Sequence, residues 1–245
     1  MREGAQTHSK RSPMLCILLN CNDFTVQSVA SVAMMELIRI VHSTAGGVVA
    51  ITGLLQILLP KGGLRHRILG QLYFWSWILI VPTGAMMGSF LIALFGALGL
   101  YMAFTGYRIG VRKKVQLAIF DKLVIVTGFL CGLATLGWGV ALLVKKVDFG
   151  IVGCFFGVIF CLATLQDIRM FLLSKGGGRM AGHPMHWMFL HYGRMYISYI
   201  AAMTAFTVIQ QVLPWDLANW ILPTVLGTAL LIFSGRFYRK KFGVE

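Results

Sequence analysis

The 245-residue chain is 58% hydrophobic and only 12% charged, yet its formal net charge is +14. So apolar a composition cannot stay dissolved as one water-soluble core, and most of the chain belongs in lipid. The charge calls for no nucleic acid, because the cations sit in short loops between apolar stretches, as basic loops beside anionic lipid do, and not on one face of a soluble domain.

Residues 1–33 read as a poorly ordered tail. The tail carries Arg2, Lys10 and Arg11, and its one apolar run, Met14 to Leu19, is too short for a secretory signal. Cys21 follows Leu18, Leu19 and Asn20, without the small residue a lipoprotein cleavage site wants. The expectation is a natural start at Met34 or Met35, with 34–245 as a single transmembrane domain.

A hydrocarbon core of about 30 Å needs about 20 apolar helical residues. The first such stretch is Leu37 to Leu59, and at about 100° per residue Arg39, His42, Gly46 and Gly53 share one of its faces. Lys61, Arg65 and Arg67 follow. The second, Ile68 to Met86, continues a face that carries His66, Gly70, Tyr73, Trp77 and Gly84; no cation lies between Val81 and Phe90. The third, Phe90 to Tyr107, is followed by Arg108, Arg112, Lys113 and Lys114. The fourth, Leu117 to Val144, sets Asp121, Gly128, Gly132 and Gly139 on one stripe and precedes only Lys145 and Lys146. The fifth, Phe149 to Leu165, carries the Gly153 and Gly157 pair and is followed by Arg169, Lys175 and Arg179. The sixth, Trp187 to Leu213, groups His191, Met195, Ser198, Ala202 and Ala205, with only Asp216 before the seventh, Ile221 to Phe237. Arg236, Arg239, Lys240 and Lys241 close the series.

The pattern predicts an all-α, polytopic transmembrane seven-helix bundle. Cations on alternating turns put the amino end outside and the carboxyl end in the cytoplasm. Without a hydrophobic drive between helices in lipid, the glycine stripes mark the faces that pack. Cys131, Cys154 and Cys161 read as small packing residues, and neither they nor Cys16 and Cys21 form a Cys-x-x-Cys pair or a zinc-finger spacing.

The ionisable residues converge on the cytoplasmic side, as a candidate polar cluster of His66, Arg108, Asp121, Lys122, Asp167, His186, His191 and Arg194. The outer half is apolar apart from Arg39, His42 and Gln210. Ionisable groups inside spanning segments are functional candidates. The alternative is a set of interfacial anchors and salt bridges, such as Asp121 with Arg194, because charges near helix ends reach the headgroups at little cost.

Two segments carry a resemblance. His66-Arg67-Ile68-Leu69-Gly70-Gln71-Leu72-Tyr73 and His186-Trp187-Met188-Phe189-Leu190-His191-Tyr192-Gly193-Arg194-Met195, with Asp121-Lys122, Tyr107-Arg108 and Trp220 to Thr224, resemble a domain-of-unknown-function family of multi-pass bacterial membrane proteins. The resemblance spans roughly Met35 to Tyr238. It implies a bacterial inner-membrane protein with a seven-helix bundle and supplies no activity.

Three functional classes stand, and the sequence leaves open whether any reaction is catalysed. A binding or accessory protein with a polar, histidine-containing pocket is the least committed. A redox protein would hold haem b between histidines of two helices, with His66 and His191 as one pair and His42 near the outer face. A zinc-dependent hydrolase acting on lipid would need His66, Asp121 and His191 together, with His183 or His186 joining from the loop. Phosphate loops, nucleophile elbows and dinucleotide-binding glycine patterns are absent. The expected partners are the bilayer, anionic lipid at the cytoplasmic loops and other membrane proteins.

Overall fold

A computed structural model describes residues 13–87, 90–113, 118–169 and 184–243. Among these the chain is all helix: α1 Pro13–Leu58, α2 Leu64–Met86, α3 Phe90–Arg112, α4 Ile119–Val144, α5 Gly150–Asp167, α6 His186–Gln210 and α7 Asp216–Lys241. Arg2, Lys10, Arg11, Lys114, Lys175, Arg179 and His183 lie outside the described residues, and the side chains of Cys16 and Cys21 are likewise not described.

Six helices are long and apolar enough to cross a membrane: α1 over Ser31–Leu58, α2, α3 over Ala93–Arg112, α4, α5 and α7. The protein is therefore a multi-pass membrane protein. The expected sixth span differs. Helix α6 has the length, at 25 residues, but His186, His191, Arg194 and Gln210 leave it short of the required apolar composition.

Local chemistry explains the boundaries. Pro60 and Gly62, at φ +86°, end α1, and the Lys61 ammonium caps it by donating to the carbonyls of Gln56 (2.6 Å) and Ile57 (2.7 Å). Partial burial lowers the Lys61 pKa from its ordinary value. Lys113 and Gln211 take left-handed backbone after α3 and α6. Helix α7 starts five residues before the expected Ile221, because Asp216 belongs to its first turn and not to a loop. The fully buried Asn219 then ties that turn back to α6's end, donating to Leu213 O (2.9 Å) and accepting from Leu213 N (2.9 Å).

The helices make two kinds of assembly. Contacts α1 with α2, α2 with α3, α3 with α6 and α6 with α1 close a four-helix ring in which α2 and α6 are diagonal. The α4–α5 hairpin packs beside α3, and α7 lies along α6. The hairpin is joined through glycine, as expected. A Cβ on Gly153 would lie 2.8 Å from Gly139 Cα, and one on Gly132 3.0 Å from Cys161 N and Sγ. The ring is joined through large side chains: Trp77 fills the space over Gly99, Tyr199 that over Gly53, and Tyr73 and Trp77 are each only 2% exposed.

The α2 face turns inward as expected, with Gly84 against the His42 ring at its far end. Two stripe members do not. Arg39 is exposed and pairs with Glu36 at 2.6 Å, because one face of α1 looks out of the ring at that level, and Ala205 is exposed as well.

Candidate functional site

Five helix ends meet at one end of the bundle and bring charged groups together in separate pairs. At the α3–α4 corner, Asp121 in α4's first turn receives Arg108 and, at 2.7 Å, the Arg112 guanidinium, one helical turn on. Its Oδ2 also accepts the Ala118 N–H at 2.8 Å, and Arg108 lies over the Phe104 and Phe120 rings. Between α5 and α6, Asp167 receives both terminal nitrogens of Arg194 (NH1 at 2.9 Å) and the Tyr101 hydroxyl of α3. Asp167 and Arg194 are both buried. The fork geometry of arginine suits a carboxylate taken out of water, since each charge then leaves few unmatched donors or lone pairs.

The expected pairing of Asp121 with Arg194 is corrected by this arrangement. Asp121 lies beside α3's last two turns, which supply two closer arginines, while α5 ends against α6 and presents Asp167 to Arg194. Lys122, the next residue, points outward and is exposed, so it stands apart from the cluster. His186 is buried at the start of α6, about 140° around that helix from His191.

The remaining group is the histidine pair. His66, in α2's first turn, and His191, in α6's second, face each other across the ring's diagonal with ring centroids 6.2 Å apart and planes at 81°. The His191 Nδ1 lies 2.8 Å from Gly106 O. A carbonyl can only accept, so Nδ1 carries the proton and Nε2 presents a lone pair. Gly110 makes room for the ring: a Cβ there would lie 2.5 Å from Nδ1. Among the described residues the Nδ1 of His66 and the Oε1 of Gln56 are buried without hydrogen-bond partners, although the Gln56 amide donates to His66 O at 2.7 Å. Two turns deeper, Tyr73 and Ser198 hydrogen-bond across the same diagonal at 2.7 Å and form a floor.

His42 lies at the opposite end. Its Nδ1 is bound to Ile80 O (3.1 Å) and Thr83 Oγ1 (3.0 Å) beside Pro82, so it serves the α1–α2 packing and is remote from the other two histidines. Among the described residues no three His, Cys, Asp or Glu side chains gather as a metal-holding group. The His66, Asp121 and His191 triad is not assembled, because Asp121 is held at the α3–α4 corner by Arg108 and Arg112.

Sequence reasoning missed Tyr101, Arg112 and Gln56 as site members. Tyr101 was within reach, since seven residues before Arg108 places it on the same face of α3. Gln56 offered only its polarity in the last turn of an apolar helix.

Fold and polar end together define a polytopic, all-helical membrane protein whose helices are pinned at one end by a buried ion pair and a half-exposed one. No family of known proteins, no curated protein and no solved structure matches this chain.

Proposed function

We propose that this chain is a multi-pass protein of the bacterial inner membrane that binds a ligand in a histidine-containing polar site at the cytoplasmic end of the α1–α2–α3–α6 ring, in a binding or accessory role. The amino end lies outside and the carboxyl end in the cytoplasm, an orientation that rests on the alternation of basic loops and requires α6 to cross as a seventh span, its polar groups turned into the bundle. The inner-membrane assignment rests on the resemblance carried by the His66 and His186 segments. Arg65, Arg67, Arg236, Arg239 and Lys240 then face anionic headgroups.

The observation that carries the binding reading is the diagonal pair of histidines with unspent nitrogens. Buried polar atoms are ordinarily hydrogen-bonded, more so where neighbouring lipid offers no partner. His66 Nδ1 and Gln56 Oε1 lack that among the described residues, and a bound molecule would complete the site. Asp121 with Arg108 and Arg112, and Asp167 with Arg194 and Tyr101, are already matched to one another, which makes them the frame.

Native mass spectrometry of the detergent-extracted protein tests the reading. A bound species present in the wild type should be lost in His66→Ala and in His191→Ala and kept in His42→Ala. A species indifferent to both inner histidines, or none in the wild type, would sink it. Reporter fusions after Arg112 and Lys241 should read cytoplasmic and one at Asp216 external.

A further inference from the structure

We propose that the ligand of this site is a single haem b whose iron is held axially by His66 and His191. The inference rests on the reading of the histidine pair as a binding site and adds the chemical identity of what it binds.

Ring separation carries the argument. An imidazole nitrogen sits about 2 Å from a first-row metal, and its ring centre about 3 Å, so two imidazoles in line across one ion have centres about 6 Å apart. The same two ligands at tetrahedral corners would bring the centres to about 5 Å. The observed 6.2 Å matches the linear case. A linear pair supplies two of six positions, and a porphyrin supplies the other four in the plane between them. That accounts for a pair of histidines with no third protein ligand nearby among the described residues.

Topology points the same way. Helices α2 and α6 are diagonal in the ring, so a flat group on its axis can be gripped from both sides while α1 and α3 flank its edges. Gly70, one turn below His66, lies against the Gln56 amide of α1: a Cβ there would meet Gln56 Nε2 at 3.2 Å, and that amide donates to His66 O, so Gln56 braces the α2 side of the site. The Tyr73–Ser198 floor lies about 10 Å below the histidines, which stops a planar group from sliding deeper. The His191 tautomer is the one a metal ligand needs, with Nδ1–H on a backbone carbonyl and the Nε2 lone pair free. Arg65 and Arg67 flank His66 in sequence and are exposed at the mouth, where two propionates would emerge.

The test uses the full chain, expressed in haem-replete cells and extracted in detergent. Iron and pyridine haemochrome assays should give about one haem per chain, with a low-spin, six-coordinate ferric spectrum and sharp bands on reduction. The 81° ring angle predicts the highly anisotropic low-spin electron paramagnetic resonance signal of crossed imidazoles. His66→Gly and His191→Gly should each lose the low-spin signal and regain it when imidazole is added, which shows that the variant is folded; His42→Ala should match the wild type.

Protein without porphyrin that also fails to take up added hemin would overturn the proposal. So would a low-spin spectrum that survives either glycine variant, or a signal of parallel imidazoles. A different bound species lost with either histidine would remove the haem and leave the site standing. The absence of any histidine-dependent species would remove both.

Discussion

The α4–α5 hairpin and the α1–α2–α3–α6 ring solve the same problem, association in a solvent that gives helices no hydrophobic reason to meet, in opposite ways. In the hairpin Gly132, Gly139, Gly153 and Gly157 let backbones touch, and that interface is filled by main chain and small sulfur side chains, while Gly128 receives the Tyr101 ring of α3. In the ring the contacts are filled by Tyr73, Trp77 and Tyr199 and, at one end, by two histidines, of which His66 keeps a buried nitrogen without a hydrogen-bond partner among the described residues. Close backbone packing leaves no room for a guest. Packing through long side chains can leave one where their ends do not meet. The contrast separates a strut from a receptacle.

The largest expected effect breaks the join between these two regions. Arg194→Met leaves Asp167 buried with only Tyr101 and should cost about 3–5 kcal/mol in mixed-micelle unfolding. Adding Asp167→Leu should restore most of the loss, since no lone charge then remains buried. A single-variant loss below about 1 kcal/mol would mean that the pair does not hold α5 to α6. Asp121→Asn should cost less, because Arg108 and Arg112 are partly exposed and can turn to water.

Next comes a direct contrast of the two packing modes. Gly139→Ala puts a methyl group against the Cys154 backbone nitrogen, which cannot move aside, and should cost about 1–3 kcal/mol in the same assay. Gly46→Ala, in the ring, meets nothing within 4 Å and should be neutral or stabilise by about 0.5–1 kcal/mol through helix propensity. Equal losses at both positions would erase the distinction.

Smaller still is Tyr73→Phe. It removes one hydrogen bond from the floor of the site while Ser198 keeps its bond to Met195 O at 2.7 Å. A loss of about 0.6–1 kcal/mol is expected, the usual worth of such bonds between membrane helices. Glu36→Gln should change stability by less than about 0.5 kcal/mol, and less again in high salt, because its pair with Arg39 is exposed.

Much of this contrast was legible in the chain. The hairpin announces itself because Gly128, Gly132 and Gly139 recur at helical spacing and need no knowledge of the partner. The inward aim of His66, Tyr73, Trp77 and His191 follows from the same arithmetic. What periodicity cannot supply is which helix stands opposite, and so Asp121 was paired with Arg194, although its true partners lie thirteen and nine residues back across a tight corner. Arg39 failed for the converse reason: a shared face was legible, but whether that face looks into the ring at its level depends on where the neighbours end. Helix α6 differs in composition, with an apolar second half after a first half that carries His186, His191 and Arg194.

That polarity bears on how the molecule is made. A helix with His186, His191 and Arg194 in its first three turns partitions poorly from a translocon into bare lipid, where a central arginine alone costs about 2.5–3.5 kcal/mol. Helices α1 to α5 emerge first and already display Asp167 and the Gly106 carbonyl that α6 requires. The sixth helix therefore enters by docking on a pre-formed template, and the Asn219 clasp lets α7 follow as the second arm of one hairpin. Order of synthesis thus matches order of need: the helix with a buried arginine follows the carboxylate that neutralises it.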